Sequence, residues 1–299
     1  MFKKNKEHQP AFKEEMSRIS DFQRFRRVFL SRGVVAFGLI VILVLLLTAI
    51  FSFWIAPYGP YEQHLDQVLA QPGRAHLLGT DMIGRDTLSR IIYGTRTSLL
   101  IAVSAIGFAA IVGMAAGLSA GYFGGWVQMI IMRFVDTLMT FPMILLAMVI
   151  AALLGGGLKN VIIALGISIL PIYARLMCGQ VLSVKENDFV MAGHAMGCTN
   201  MRIMVYHILP NCLPPLIVQI TMMMGMTILA EAGLSFLGIG IEPPTAAWGS
   251  MVSDGYQYML SNPILSFAPG IAIMLVVFSF NMVGDGLRDA LDPRLRGIL

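Results

Sequence analysis

Few side chains in this chain could carry chemistry, and they stand far apart. Glu231 sits at the end of a long charge-free stretch, Asp136 follows Arg133 by three residues, and Met222, Met223, Met224 and Met226 form a thioether-rich run. A charge in a bilayer persists only where it has a partner or a water path, so Glu231 and Asp136 are the first candidates for a transport route. Glu231 falls in the outer third of its apolar stretch. There it is either a structural residue reaching interfacial water or a partner group, or part of a translocation path. Asp136 is expected to pair with Arg133 one turn earlier. The methionines read as adaptable packing in a moving helix. No neighbouring His or Cys completes a soft-metal site, so no metal is expected.

Enzyme signatures are missing. The sequence has no G-x-x-x-x-G-K-[ST], no H-E-x-x-H and no G-x-S-x-G, and His8, His64, His76, His194 and His207 all fall outside the expected hydrocarbon cores. No catalytic residue and no cofactor is therefore expected. ATP hydrolysis would have to belong to another polypeptide.

The elements that must position these residues are membrane helices. Of 299 residues, 57% are hydrophobic and 13% charged, with a mean hydropathy of +0.75, far from the composition of a soluble domain. Charge-free stretches at 33–61, 97–132, 137–158, 203–230 and 255–284 each exceed the roughly 18 residues that mark a spanning helix. The expected fold is an all-α membrane protein with six spans, at 34–55, 98–119, 133–154, 160–178, 213–237 and 264–284. Gly121–Gly125, Gly155–Gly157 and Pro263 punctuate them.

Orientation follows from the basic residues. Lys3, Lys4, Lys6, Lys13, Arg18, Arg24, Arg26, Arg27 and Arg32 crowd the segment 1–33 before the first span. With both termini inside, only Arg74, Arg85, Arg90, Arg96 and Lys159 of the 21 basic residues fall outside, which predicts N-in, C-in. The first apolar run is too long for a signal peptide and lacks a small-x-small cleavage site, so it is expected to stay as a helix. Cys178, Cys198 and Cys212 then lie at the cytoplasmic face as packing residues, with no CxxC spacing.

Gly113, Gly117 and Gly121 recur every fourth residue and let another backbone approach closely, either within the chain or at a subunit interface. Outside, Asp81 with Arg85 and Asp86 with Arg90 are acid-before-base pairs at i,i+4, predicting a short surface helix capped by Thr80. Pro243-Pro244 and Trp248 predict a stiff aromatic segment at the outer membrane surface, facing an arriving partner or closing a pore mouth.

Residues 179–212 are long for a connection. Asn187 or Asp188 is expected to cap a helix over 189–196 that ends at Gly197, and Asn200 to start a second helix whose Met201, Met204, Val205 and Ile208 recur at helical spacing before Pro210. The pair either stands out as a rigid peg or lies flat as an amphipathic connector.

Phe189-Val-Met-Ala-Gly-His-Ala-Met-Gly197, with His207-Ile-Leu-Pro210 nine residues later, resembles the EAA loop of permease subunits in binding-protein-dependent ABC importers, E-A-A-x-x-x-G-x9-I-x-L-P. Ala192, Gly197, Leu209 and Pro210 match, whereas Met191 replaces the glutamate, Gly193 the second alanine and His207 the isoleucine. Leu78–Arg90, Glu231–Gly238 and Gly284–Pro293 add further similarity to the C-type permease of the dipeptide/oligopeptide/nickel branch, across nearly all of the chain after Val34. The resemblance implies the type I importer permease fold. It also implies a second homologous permease, two cytoplasmic ATP-binding subunits and an extracellular or periplasmic solute-binding protein as partners, in a bacterial or archaeal plasma membrane, the inner membrane in a Gram-negative cell. Nucleic acid is not an expected partner. The ATPase contact would fall on Phe189, Met191, Ala192, Gly193, Ala195, Gly197, His207, Leu209 and Pro210. Glu231, Met223 and Ser235 are candidates for the path or gate. Expected solutes are dipeptides, oligopeptides, nickel or metallophore complexes, or glutathione-like compounds. An ion-coupled secondary transporter and a non-transporting membrane scaffold are the alternatives.

Overall fold

The computed structural model describes residue 29 and residues 33–291. The basic segment before the first span lies outside the described residues, as do Arg294 and Arg296. Apolar runs that must satisfy their own backbone groups in lipid become helices, and the described residues contain no strand beyond one isolated bridge between Thr80 and Asp86. The first helix, α1 (Gly33–Ile50), is apolar on every side and buries only Val35 and Gly38. Gly38 lies against the Ser279 carbonyl and Val283 of the last helix.

The next long helix, α2 (Thr87–Phe123), has 37 residues. At 1.5 Å per residue it is about 55 Å long, against about 30 Å of hydrocarbon. It therefore begins eleven residues before the expected span, with Arg90 and Arg96 inside the helix. The expected third span, 133–154, is two helices, α3 (Gly125–Met139) and α4 (Met143–Leu154), bent by 89°. Pro142 explains the break. It has no N–H to donate, and its ring drives Phe141 out of helical conformation. Among the described residues, five helices are long and apolar enough to cross a membrane, or six if this bent pair is one span.

Helix α5 (Leu158–Val184) carries Pro171 within it. After the short α6 (Asp188–Ala195) comes α7 (Asn200–Phe236), which departs from expectation. It does not stop at Leu209-Pro210 but runs through Pro210, Pro214 and Pro215 as one 37-residue helix. Residues Ile203–Ile208 widen into a π turn, and the Leu209 N–H reaches back five residues to the Met204 carbonyl, the kind of local adjustment that accommodates a helix proline. A short α8 (Trp248–Tyr256) precedes α9 (Ile264–Leu291), two turns longer than expected.

The α2–α5 contact is the most extensive in the molecule. Gly113, Gly117 and Gly121 all face α5 of the same chain. A methyl group on Gly113 would sit 2.9 Å from Tyr173 Cβ, on Gly117 2.8 Å from Met177 Cβ, and on Gly121 2.7 Å from Val181 Cβ. Gly117→Ala is therefore expected to destabilise the purified protein by about 1–3 kcal/mol through overpacking. Gly107→Ala, on the same helix with open space beside it, should be neutral or stabilising. Thermal unfolding in detergent checks both, and equal midpoints would deny the seam its role.

Candidate functional site

The elbow at 185–210 is built by backbone closure. Helix α6 starts without a side-chain cap. Asn187 instead gives its carbonyl to the Val190 N–H (3.0 Å) and turns its amide back to the Val184 carbonyl (2.9 Å). At the other end Gly197 has φ +74°, its N–H donates to the His194 carbonyl, and the Cys198 N–H donates to the Gly193 carbonyl. This is the paired closure that a left-handed glycine permits. Val190 is buried with Ile203, Met204 and Ile208, and Gly193 lies against Ile203.

Three further contacts hold the elbow to the end of α2. The Tyr122 hydroxyl donates to Asn200 Oδ1 (2.8 Å), the His194 ring stacks on Tyr122 with centroids 6.3 Å apart, and Lys185 Nζ donates to the Gly121 carbonyl (3.2 Å). Sequence reasoning missed Tyr122 and Lys185, because nothing local links them to residues near 200. Of the expected contact residues, Phe189, Met191, Ala192, Ala195 and Gly197 are exposed together, Gly193 is buried, His207 and Leu209 are half-buried and Pro210 is exposed. Met191 is 56% exposed and Tyr206 74%. Met196 and Met201 are exposed as well, apolar side chains of the kind that gather at interaction surfaces.

Glu231 is fully buried, so it does not reach interfacial water. Its carboxylate accepts hydrogen bonds from Ser235 Oγ (2.8 Å) and Ser98 Oγ (3.3 Å), and Ser235 Oγ in turn accepts the Ile241 N–H (3.1 Å). The cluster thus ties α7 to α2 and to the turn after α7. Glu231 and Ser235 come together, Ser98 joins them unforeseen, and Met223, two turns away, packs against the core instead. Met222 contacts Gly284. Trp248 is also buried within the protein. It fills the space left by Gly94 and donates its indole N–H to the Ile91 carbonyl (3.0 Å).

The outer cluster differs from the expected surface helix. Residues 81–86 form a turn, and Asp86, not Thr80, caps α2 by accepting the Ser89 N–H (2.7 Å). Thr80 is buried and donates to the Gln67 carbonyl. Asp81 pairs with Arg85 (2.6 Å) as expected, but Asp86 pairs with His76 (2.9 Å) and Arg90 turns to Asp81 (3.7 Å). Arg90 Nη1 also donates to the carbonyls of Pro60 (3.2 Å) and Pro244 (3.4 Å), so one guanidinium gathers three connecting segments. Asp254 on α8 lies near it. Burial raises the Asp254 carboxyl above its ordinary range, with Arg90 and Arg85 pulling it back. On α3, Asp136 pairs with Arg175 of α5, not with Arg133, because helix packing brings α5 alongside.

Long apolar helices, one broken pair and a glycine-closed elbow between α5 and α7 define a helical membrane-protein fold. The same fold occurs in two structures of the MetNI methionine ABC transporter in inward-facing conformations. One matches with a TM-score of 0.55 at 20% identity, over 69% of this chain and 97% of that one. The other has a TM-score of 0.54 at 19% identity, over 68% and 96%.

The sequence fits the binding-protein-dependent transport system inner membrane component family over residues 109–297, and the chain belongs to it. Residues 20–72 match the N-terminal TM domain of oligopeptide transport permease C. Similar relatives include the dipeptide transport system permease protein DppC of Alkalihalophilus pseudofirmus, 42% identical over 96% of this chain and 94% of the relative. The di/tripeptide transport system permease protein DppC of Pseudomonas aeruginosa is 43% identical over 87% and 88%. The glutathione transport system permease protein GsiD of Pectobacterium atrosepticum is 39% identical over 96% and 95%.

Glu231→Leu strips Ser98 and Ser235 of their shared acceptor, at about 1–3 kcal/mol for each buried hydroxyl left unmatched. Glu231→Gln retains an oxygen acceptor and should unfold measurably later in a detergent melt. Coincident melts would show that the cluster carries no stability.

Proposed function

We propose that this chain is the C-type permease subunit of an ATP-driven importer of short peptides or glutathione-like solutes, crossing the membrane six times with both termini inside. It would pair with a second, homologous permease to enclose the path. Two cytoplasmic ATP-binding subunits would dock on the elbow, and an extracellular binding protein would deliver solute to the outer side. The dipeptide, di/tripeptide and glutathione systems of the relatives named above support that solute range.

The observation that carries this reading is the elbow itself. A lever needs stiffness and an exposed point of contact. Here α6 is closed onto α7 through Gly197, α7 continues without interruption into the bundle, and Tyr122 and Lys185 brace the joint. When ATP closes the ATPase pair, a push on Phe189, Met191 and Ala195 would pass along α7 to the Glu231 cluster near its far end, opening the path outward. Hydrolysis would return it inward. The patch offered to the ATPase is apolar and methionine-rich where a carboxylate would be expected, so docking would depend on shape and adaptable packing more than on charge.

Gly197→Val forces a β-branched residue into a left-handed conformation. The variant is expected to insert and assemble, yet to lose most uptake per ATP hydrolysed. Unchanged ATP-driven uptake in proteoliposomes would remove the elbow from the mechanism. For the solute, ATPase stimulation of the purified complex by binding protein loaded in turn with dipeptides, tripeptides and glutathione is expected to single out one class. No stimulation by any of them would reject a peptide-like solute.

A further inference from the structure

The Asp136–Arg175 pair lies in an unusual place. Asp136 is eleven residues into α3, about 16 Å along it, and Arg175 is nine residues from the end of α5, about 14 Å from that end. Arg175 therefore lies within a helix apolar enough to span, and Asp136, three residues from the end of α3, within the bent pair that together would make one span. Yet the two side chains remain 50% and 54% exposed, so the described residues do not seal the ion pair. Charges within a spanning segment are not left facing lipid tails. They face protein or water.

The rest of the α3 face decides between those two. Arg133, Asp136, Thr137 and Thr140 recur at i, i+3, i+4 and i+7, and all four are exposed. The Thr137 and Thr140 hydroxyls donate to the Arg133 and Thr137 carbonyls at 2.8 and 2.7 Å, leaving their lone pairs outward. Arg133 adds a cation that Asp136, already paired, does not neutralise. Directly beyond this stripe α3 breaks and turns by 89°. Irregular backbone at membrane depth survives where it is buried in protein or lines a water-filled cavity. A dry subunit interface would have to bury this excess charge, whereas a wet path would not.

We propose that Arg175 and Asp136 form a charged station on the solute path, one that takes zwitterions. A guanidinium is shaped for a carboxylate, and a carboxylate accepts an ammonium. A solute carrying both groups would replace each partner of the pair by one of its own charges, and the pair would close again behind it. No bond is made or broken. The idea deepens the importer reading and rests on it, with Arg175 and Asp136 as specificity-determining residues.

The test uses the assembled complex in proteoliposomes during ATP turnover. Single cysteines Thr137→Cys, Thr140→Cys and, as a control, the outward-facing Leu153→Cys are exposed to membrane-impermeant methanethiosulfonates, one cationic and one anionic, with the parent chain as blank. Both reagents should modify positions 137 and 140 and not 153. Alanyl-alanine, trialanine or glutathione should protect position 140, whereas N-acetylated, C-amidated dialanine should not. Adding Asp136→Asn, or separately Arg175→Gln, should raise the protecting concentration about tenfold, as for the loss of one charge-assisted hydrogen bond. Unreactive cysteines at 137 and 140 overturn the wet path. Protection that ignores the charged ends, or survives both variants unchanged, overturns the station. Either outcome, in a parent complex that takes up solute with ATP, leaves the importer reading standing. Absence of ATP-driven uptake by the parent defeats that reading by itself.

Discussion

The close approach of α2 and α5 is the constraint on which the other features depend. Lipid supplies little hydrophobic drive between helices, so their association rests on close packing. Three glycines bring the two backbones together along about two turns. The seam fixes both ends of a long rod. Its C-terminal end presents Tyr122 and the Gly121 carbonyl to the elbow, and its N-terminal half presents Ser98 to Glu231 and Arg90 to the neighbouring loops. Moving the seam would displace the elbow brace and the outer cluster together.

Helix α7 links the same two regions by a second route. Three prolines and a π turn lie in its first half, where freed backbone groups need other partners, while Glu231 and Ser235 are locked into hydrogen bonds near its far end. A continuous helix braced at the elbow and pinned at its far end suits a subunit that receives force from elsewhere. The burial of Glu231 between two serines identifies it as a joint between helices, not a free ionisable group in a water-filled route. The hydrophilic face of α3 is the better candidate for that route, since its charges are left half-exposed among the described residues.

Much of this was legible in the sequence, for stated reasons. Hydropathy is a sum over many residues, so the apolar helices were found. Gly197 was legible because a left-handed helix end selects glycine. Breaks at proline were read in the wrong places. Pro142, inside an apolar run, splits a span, whereas Pro210, with every appearance of a terminator, is absorbed by the π turn. Pairings were the least legible. Asp136 has Arg133 close in sequence and Arg175 close in space, Asp86 prefers a histidine ten residues back to an arginine four ahead, and Ser98 is 133 residues from the carboxylate it serves. Only the folded chain settles such choices.

The central claim is that α6 and α7 move as one body. Spin labels on Ala195→Cys and Leu229→Cys, in an otherwise cysteine-free chain within the full complex, report the distance from the elbow to the far end of α7. Pulsed dipolar spectroscopy is expected to give one distance, the same in the nucleotide-free and ATP-trapped states. A distance that changes between those states would mean that the elbow flexes at Gly197 or at the π turn, and would contradict transmission along α7.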